Sequence, residues 1–358
     1  MKHLRLLYVG PINSPHVEDM AIAMRQRGHV VDVAGEFWGG GLPASSLPTY
    51  GIPIHEMGSS RVLSMRRIAK EVRPHVVHTH WLPFATTAAL AGVHPFLATA
   101  WGSDLYGRGR MQKLAIAVAL RRAAVATSDS ADLVARVREL GPGSLRTMVI
   151  NWGVDLDAMR FATADERAGA KVRLGLGPGP VVFSPRGLSD LYNPDVVLEA
   201  FSRVRSALPE AALLLKHSGA EDIPKPEWTN LPGVHVIGRV DPDQMRELFR
   251  AADVTLSIPV SDSSPRSVWE AMAAGSVTIL SDLPWVRELI KPGRDALVVA
   301  AEPDEVAEAI EQVVRSPSRR MQIAASARAL VERYRDRRLE LDRLEACYRE
   351  LVFRHEHA

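Results

Sequence analysis

Strand and helix patterns alternate along the whole chain, and this alternation constrains the fold more than any other feature. In the first half, an apolar strand pattern at residues 4–9 precedes a helix pattern at 14–27, where apolar residues recur every three to four positions. The second half opens in the same way, with a strand pattern at 181–184 and a helix pattern at 193–206. Repeated strand–helix–strand units are typical of parallel sheets covered by helices, so we expect an α/β fold.

The length of the chain indicates more than one domain. A chain of 358 residues is too long for one ordinary hydrophobic core and fits two domains of about 150 to 200 residues. We place the first domain, with six or seven strands, at residues 1–160 and the second at 161–335, followed by a final helix at 336–358. A Gly/Pro-rich stretch at 163–180 predicts the linker between the two domains.

Composition excludes several classes of protein. No stretch approaches the roughly 18 apolar residues that a membrane-spanning helix needs, and the short apolar run at residues 1–14 fits a first strand better than a signal peptide. Cys347, the single cysteine, rules out an internal disulfide and fits a reducing compartment, so we expect a cytoplasmic location. We expect no nucleic acid partner.

Positive charge is concentrated in the first half of the chain. Residues 1–160 carry 18 lysines and arginines against 12 acidic residues, whereas the rest carries 26 against 30. Such a surface suits an anionic acceptor or peripheral contact with the inner face of a membrane, for which the basic helix pattern at 108–122, with Lys113, is the candidate. A solvated face explains the same pattern more simply.

One strand–loop–helix–strand unit stands out in the second half. Residues 254–258 predict a buried strand, and a polar turn leads from it to Pro265, the expected first residue of a helix with Ser264 as N-cap. Gly275 predicts the end of that helix. The helix therefore begins at the carboxyl end of a strand, where open α/β sheets bind ligands and where a helix N-terminus attracts phosphate.

Two carboxylates accompany this helix, Asp262 before it and Glu270 within it. Glu270 is compatible with an ordinary solvent-facing position. The alternative is a carboxylate that accepts paired hydrogen bonds from the vicinal hydroxyls of a ribose, because its two oxygens are acceptors only.

These residues carry a resemblance to a known family. Asp262, Pro265, Ser267 and the run from Glu270 to Gly275 resemble the signature of retaining family-4 glycosyltransferases (glycosyl transferases group 1) of GT-B fold, with Asp in place of the more usual Glu at the first position. The resemblance implies two Rossmann-like parallel-sheet domains facing a cleft, and a final helix that returns to the first domain. It also implies that the first domain binds the acceptor and the second the nucleotide sugar, with Glu270 on the ribose and Asp262 on the transferred sugar.

Cations are expected next to the diphosphate of the donor. Arg186 follows a predicted strand, and its planar, permanently charged fork suits a pyrophosphate. An ion pair with Asp190 or Asp195 is the structural alternative. Relatives carry a lysine a few residues after this arginine; this chain lacks it there, and Lys216, at the end of the next strand, is the candidate replacement.

The resemblance assigns two further groups to the donor. The backbone near Arg239 and Val240 is expected to face the nucleotide base. The backbone N–H groups at the start of the helix, in the segment Ser264, Pro265, Arg266 and Ser267, are expected to hold the phosphates; proline has no N–H, so the donors are Arg266 onward.

Polar and aromatic residues also follow the strands of the first domain. His78 and His80 lack a third ligand in register, so we expect no metal, and either acceptor contact or a core position explains them. Trp101 stands where many relatives have a histidine near the donor sugar. Asp104 is predicted either to orient a hydroxyl of a substrate or to close a turn. The first strand–helix loop is not a G-x-G-x-x-G, so no dinucleotide cofactor is expected.

The function implied is metal-independent transfer of a sugar from a nucleotide-diphosphate sugar, with retention at the anomeric carbon. A UDP-sugar is preferred over a GDP- or ADP-sugar, Arg186 and Lys216 stabilise the leaving group, and no further cofactor is needed. Three alternatives stay open: an inverting transferase with His16 as base, a nucleotide-sugar epimerase, and a non-catalytic sugar-nucleotide-binding subunit. The sequence identifies neither the acceptor (glycan, lipid-linked or small molecule) nor the oligomeric state.

Overall fold

The computed structural model describes residues 3–39, 45–106, 109–217 and 223–357. Part of the loop expected at 37–53, Arg108 of the predicted basic helix and Ser218 after Lys216 lie outside the described residues. The chain divides into two compact units, Met1–Trp152 with Leu339–Ala358, and Gly153–Arg338.

The first unit contains a seven-stranded parallel sheet in the order β3-β2-β1-β4-β5-β6-β7 among the described residues. Its strands are β1 (Arg5–Pro11), β2 (Val30–Glu36), β3 (Ile54–Glu56), β4 (Val76–His80), β5 (Phe96–Thr99), β6 (Val125–Ser128) and β7 (Arg146–Val149). Its connecting helices are α1 (Pro15–Gln26), α2 (Arg61–Val72), α3 (Leu82–Ala91), α4 (Arg110–Leu120) and α5 (Ala131–Leu140).

The second unit repeats this architecture with a six-stranded parallel sheet in the order β10-β9-β8-β11-β12-β13. The strands are β8 (Val181–Ser184), β9 (Ala212–Lys216), β10 (Val234–Ile237), β11 (Val254–Ser257), β12 (Val277–Ser281) and β13 (Leu297–Val299). The helices are α6 (Ala164–Arg173), α7 (Pro194–Ala207), α8 (Pro226–Thr229), α9 (Pro242–Ala251), α10 (Arg266–Ala274), α11 (Pro303–Val314) and α12 (Pro317–Tyr334); α13 (Arg337–Glu356) ends the chain.

Both sheets are buried on their two faces, as parallel sheets covered by helices must be. The residues of the central strands β1 and β11 are almost wholly excluded from solvent, apart from Arg5 at the start of β1. The end of the chain completes the core of the first unit, where the Tyr348 hydroxyl is hydrogen-bonded to the Tyr8 hydroxyl at 2.8 Å and to Nδ1 of His78 at 2.5 Å. The predicted α/β class with two parallel sheets is therefore confirmed.

The stretch predicted as a linker, 163–180, is not one: it contains the helix α6. Thr163 and Glu166 form a capping box, in which the Thr163 hydroxyl accepts the Glu166 N–H at 3.2 Å and the Glu166 carboxylate accepts the Thr163 N–H at 2.9 Å. This Thr-x-x-Glu signal for a helix start is readable in the sequence. The Gly/Pro-rich residues that suggested a linker begin only where α6 ends, at Gly175.

Candidate functional site

The predicted donor residues converge at the carboxyl edge of the second sheet. Arg186 follows β8 and Asp262 follows β11, and these two strands are neighbours in the sheet. Nη2 of Arg186 donates to Oδ2 of Asp262 at 2.7 Å, and its Nη1 donates to Oγ of Ser267 at 3.1 Å. The expected structural ion pair of Arg186 with Asp190 or Asp195 is therefore wrong, because the partner is Asp262.

The Arg186 guanidinium is fixed on a second side by an aromatic ring. It lies over the ring of Tyr192, 4.8 Å from the centroid. The loop that carries Tyr192 is tied to the end of β11, since the Asn193 side chain donates to the Ile258 carbonyl at 3.0 Å. The buried Nε of Arg186 has no hydrogen-bond partner within the described residues. Arg186 is therefore fixed in place and keeps one N–H donor for a ligand.

The start of α10 differs by one residue from the prediction. Pro265 is the N-cap and Arg266 the first helical residue, so Ser264 is not the N-cap. Ser264 lies at φ +41°, and its buried Oγ accepts the indole N–H of Trp269 at 3.0 Å, which fixes the entry into the helix. The first turn still presents backbone N–H groups and a partial positive charge towards Arg186 and Asp262, through the direct contact with Ser267.

Glu270 lies one turn further along α10, paired with Arg266. Nε of Arg266 donates to Oε1 of Glu270 at 2.8 Å, and the Glu270 side chain is only 15% exposed. Its sequence neighbours Trp269 and Ala271 are buried in the core. Two arginine–carboxylate pairs, Arg186–Asp262 and Arg266–Glu270, thus accompany the N-terminal turns of one helix.

Three other predicted donor residues lie along the same edge. Lys216 ends β9, which is adjacent to β8, and its Nζ lies 3.4 Å from the carbonyl oxygen of His217. Arg239, after β10, is exposed, and Val240 packs against the core. Residues 241–244 form a capping box at the start of α9, in which an Asp241 carboxylate oxygen accepts the Gln244 N–H at 2.8 Å. The order of the strands places these residues at the same edge as Arg186.

Asp104, predicted as a catalytic candidate in the first unit, has a structural position. It is completely buried; its Oδ2 accepts the N–H of Leu82 at 2.8 Å and its Oδ1 accepts that of Trp101 at 3.0 Å. Burial raises the pKa of its carboxyl group, against these hydrogen bonds. Asp104 therefore closes the loop after β5, and we leave it out of the site.

The carboxyl edge of the first sheet is aromatic. The ring of His16 stacks on Trp152 with centroids 4.3 Å apart and meets Trp101 edge-on at 5.3 Å. Trp38 meets Trp81 and Trp101 edge-on at 5.0 and 6.1 Å. We call the six residues His16, Trp38, His80, Trp81, Trp101 and Trp152 the aromatic edge. Sequence reasoning identified His16, His80 and Trp101 singly but not this cluster, whose only sequence signal is that its members follow or end strand patterns.

The two histidines of β4 have different surroundings. His78 is hydrogen-bonded at both ring nitrogens, to Tyr348 and, at 2.7 Å, to Thr99. Burial lowers its pKa to about 3. His80 is equally buried, but neither of its ring nitrogens has a hydrogen-bond partner in the part of the chain that the structure describes. Burial, followed by the neighbouring His78 and His16, lowers its pKa well below the ordinary value.

The described residues contain no group of three or more His, Cys, Asp and Glu side chains placed to hold a metal ion. None of the described helices combines the length and apolar character required to cross a bilayer.

Two Rossmann-like parallel-sheet units in one chain define the GT-B class, and comparison with solved structures gives the same fold. A cyanobacterial protein, Anabaena Alr3699/HepE in complex with UDP-glucose, superposes with a TM-score of 0.82 at 17% identity, covering 97% of this chain and 100% of that one. Sucrose-phosphate synthase from Thermosynechococcus elongatus gives a TM-score of 0.76 at 16% identity, covering 97% and 99%.

Comparison of sequences identifies the family. Residues 171–330 match the model described as Glycosyl transferases group 1, and residues 14–158 match that of Glycosyltransferase Family 4. The chain belongs to the glycosyl transferases group 1 family, a family of transferase enzymes, as the resemblance implied.

Curated relatives are about a quarter identical to this chain over the residues that align. Phosphatidyl-myo-inositol mannosyltransferase of Mycobacterium tuberculosis is 27% identical over 89% of this chain and 88% of its own length. D-inositol 3-phosphate glycosyltransferase of Rhodococcus erythropolis is 27% identical over 52% of this chain, and the match spans 45% of that relative.

Proposed function

We propose that the protein transfers a sugar from a nucleoside-diphosphate sugar to an acceptor, with retention of configuration at the anomeric carbon. The observation that carries the proposal is the convergence of Arg186, Asp262 and the first turn of α10 through direct contacts of 2.7 and 3.1 Å. The complex of the similar HepE structure with UDP-glucose supports a UDP-sugar as donor, in preference to a GDP- or ADP-sugar.

The diphosphate would bind against Arg186 and the N-terminus of α10. A buried Nε without a partner and the amides of the first helical turn are donors directed to an anion, and Lys216 on the neighbouring strand adds a second positive charge. In the structure the Asp262 carboxylate holds the position on Arg186 that a phosphate oxygen would take. Donor binding would therefore release Asp262, which can then accept hydrogen bonds from the hydroxyls of the transferred sugar.

Glu270 would hold the ribose. Arg266 donates to its Oε1, and a carboxylate has two oxygens that can each accept hydrogen bonds, so the group suits the hydroxyls of a diol. Backbone groups at Arg239 and Val240 would face the nucleotide base. We assign the nucleotide sugar to the domain 161–335 and the acceptor to the domain 1–160.

The chemistry follows from the charges that develop. As the bond between the anomeric carbon and the β-phosphate oxygen breaks, its electron pair goes to that oxygen, and Arg186, Lys216 and the α10 amides stabilise the charge without a metal ion. The acceptor oxygen bonds to the anomeric carbon on the same face, and its proton goes to the departing phosphate. The inverting alternative with His16 as base, and the epimerase, predict a different product from the same donor.

The test is a donor panel followed by product analysis. UDP-, GDP- and ADP-sugars are compared for their ability to raise the melting temperature, since a ligand that binds only the native state stabilises it by mass action. The productive donor is then incubated with acceptors, and the anomeric configuration of the product is read by NMR. A product of inverted configuration would overturn retention, and loss of donor without any acceptor would favour the epimerase.

We also propose that the protein is cytoplasmic and contacts an anionic membrane surface through α4. Met111, Leu114 and Val118 form an exposed apolar stripe on this helix, 79%, 57% and 37% exposed, beside the exposed cations Arg110 and Lys113. Apolar and cationic residues together on one helix are typical of interfacial binding.

Vesicles test this contact. The double variant Met111→Gln/Leu114→Gln should lose co-sedimentation with vesicles that contain anionic lipid, because it removes the apolar stripe and keeps the cations. Met321→Gln, at an exposed methionine of α12, is the matched control. Equal binding of the double variant and the wild type would contradict membrane contact through α4.

A further inference from the structure

A cavity of about 740 Å³ lies at the amino edge of the second sheet, opposite the carboxyl edge that carries Arg186 and Asp262. Pro180, Asp253 and Gly275 line it, and they precede β8, β11 and β12. Its walls are α6, the end of α11 and the start of α12. Since β8 and β11 are four residues long and span about 13 Å, the cavity is separate from the donor site. Its volume is typical of sites for small molecules.

The cavity has an excess of positive charge. Among the described residues, its charged lining consists of Arg167, Lys171, Arg320 and Asp253. The Asp253 side chain is only 3% exposed, and it accepts hydrogen bonds from Nζ of Lys171 at 2.7 Å and from Nη1 of Arg320 at 2.9 Å. Nε of Arg167 lies 3.9 Å from the same carboxylate. One carboxylate therefore faces three cations, and burying charge that is not neutralised is unfavourable.

Backbone carbonyls fix two of these cations without neutralising them. Nζ of Lys171 donates to the carbonyl oxygen of Gly179 at 2.8 Å, and Nη1 of Arg167 donates to that of Arg250 at 3.0 Å. Burial lowers the pKa of Arg167, and repulsion from Arg320 acts in the same direction, against the attraction of the carboxylate. A carbonyl carries no net charge, so the excess of positive charge is a fixed property of the cavity.

Arg320 is the cation that remains open to a ligand. Its side chain is 29% exposed, and Nη1 is held by Asp253. Its Nε and Nη2 donate to none of the residues that the structure describes, so one edge of the guanidinium carries two unused N–H donors. Two parallel donors of this kind match two oxygens of a carboxylate or a phosphate. The head of an anionic ligand would therefore bind at Arg320.

Much of the remaining wall is apolar. Leu176 is buried, Phe161 and Val314 are partly buried, and Val172 of α6 is 75% exposed. An apolar group placed between these side chains is removed from water, which favours binding. An apolar wall beside a cationic cluster fits a ligand that combines an apolar body with a negative head.

We propose that this cavity is a second ligand site and that its ligand is a small amphipathic anion, with a carboxylate or phosphate monoester as head and an apolar body. The head binds to Nε and Nη2 of Arg320, and the body lies between α6 and the start of α12. The site does not depend on the proposed transferase function, because none of its lining residues is assigned to the nucleotide sugar.

Isothermal titration of the full chain with soluble probes tests the proposal. Hexanoate and hexyl phosphate carry both features of the ligand, whereas 1-hexanol lacks the charge, hexylamine carries the opposite charge and acetate lacks the apolar body. We expect saturable binding of the two amphipathic anions at one site per chain, about tenfold tighter than binding of the other three probes. The ratio of the two affinities identifies the preferred head. Equal binding of 1-hexanol or of acetate, or no saturable binding of either anion, would overturn the proposal.

Variants connect binding to the cavity. Arg320→Gln should weaken hexanoate binding about tenfold, and Arg320→Lys should lie between, because lysine keeps the charge and loses the paired donors. Arg319→Gln, at the adjacent exposed arginine of α12 outside the cavity, is the matched control. At the exposed position 172, Val172→Glu should weaken binding about threefold and Val172→Lys should strengthen it by a similar factor. Equal hexanoate affinity in Arg320→Gln and both Val172 variants would refute the site.

The donor site provides a control for location. Arg186→Ala should bind hexanoate like the wild type, and a loss of hexanoate binding in that variant would place the anion at the donor site and overturn this inference. Cooperative thermal unfolding shows that Arg320→Gln is folded, and that variant should keep the full rise in melting temperature caused by the nucleotide sugar. A wild-type chain that no nucleotide sugar protects would refute the proposed function, whereas the hexanoate titration would decide the second site independently.

Discussion

The two sheets of this protein share a topology but present opposite chemistry at their carboxyl edges. The edge of the second sheet carries two arginine–carboxylate pairs at the start of a helix, Arg186–Asp262 and Arg266–Glu270. The edge of the first sheet carries four indoles and a neutral, buried imidazole. One edge is therefore built from charged pairs, and the other from aromatic rings.

The difference shows which residues decide ligand chemistry in such a fold. Most strand residues in both units are buried and serve the core, so the two sheets are similar in character. The contrast lies in residues that end or follow the strands, at the edge where ligands bind, and in the first turns of α10. Fold alone would not distinguish a donor site from an acceptor site.

Removing Arg186 should give the largest effect. Arg186→Ala eliminates the fixed cation at the diphosphate, and we expect kcat to fall about 10²- to 10³-fold, as when one preorganised donor to a developing anion is lost. Arg186→Lys should lie between, because a lysine lacks the planar fork that meets both Asp262 and Ser267. Steady-state kinetics with the productive donor measure both.

Arg315→Ala serves as the matched control, since Arg315 is an exposed arginine that pairs with Glu311 of α11. Undiminished turnover in Arg186→Ala would contradict a role of Arg186 at the diphosphate, and with it the edge of the second sheet as the donor site.

The second-largest effect is expected from acidification, which acts on the buried histidines of the first unit. Below pH 6.5 the unfolded chain protonates His78 and His80, whereas the native state does not until the pH falls towards their lowered pKa values, about 3 for His78. Native stability is thus fully present above pH 6.5 and declines below it, by up to about 1.4 kcal/mol per pH unit for each histidine, or about 2 kcal/mol each at pH 5.

Denaturant unfolding at pH 7 and pH 5 measures this loss. In His80→Gln, the fall in the free energy of unfolding between the two pH values should be smaller by the contribution of one histidine. An identical fall in wild type and variant would show that the imidazole at the aromatic edge is not held neutral.

Glu270→Gln should have a smaller effect, confined to donor binding. Loss of the charged acceptor for the ribose diol should raise the donor KM about tenfold, about 1.4 kcal/mol, and leave kcat within a factor of three. A 2′-deoxy donor should show little further loss in the variant, because the contact is already missing. Glu311→Gln, which breaks a similar i,i+4 pair with Arg315 elsewhere, is the control. A fall in kcat at unchanged KM would contradict a role on the ribose.

A change in salt concentration should produce the smallest effect, a moderate weakening of donor binding. Raising ionic strength from 0.05 to 0.5 M, values chosen to shorten the screening length severalfold, should weaken binding of the donor by about threefold. Isothermal titration of the donor at both salt concentrations measures this change. A donor affinity that does not change with salt would contradict binding through the charged pairs of the second sheet.

Much of the architecture was determined by local sequence. The alternation of strand and helix patterns predicted both parallel sheets, and the capping box of Asp241 and Gln244 at the start of α9 is readable in the sequence. The motif from Asp262 to Gly275 predicted the family, which the matches to residues 14–158 and 171–330 confirmed. These features are readable because periodicity and capping depend on residues two to four positions apart. The helix α6 was equally readable from Thr163 and Glu166, and was missed only because the Gly/Pro-rich run beyond it was given more weight.

Only the tertiary structure decided which side chains meet. Arg186 pairs with Asp262, 76 residues away, and not with the nearby Asp190 or Asp195, because β8 lies beside β11 in the sheet. Asp104 has a structural role because its carboxylate accepts the N–H of Leu82 at the start of α3, 22 residues earlier. The aromatic edge gathers the ends of separate strands that no local pattern links. Local interactions set the elements, but strand order sets the contacts between distant loops, and that order follows from how the whole core is buried.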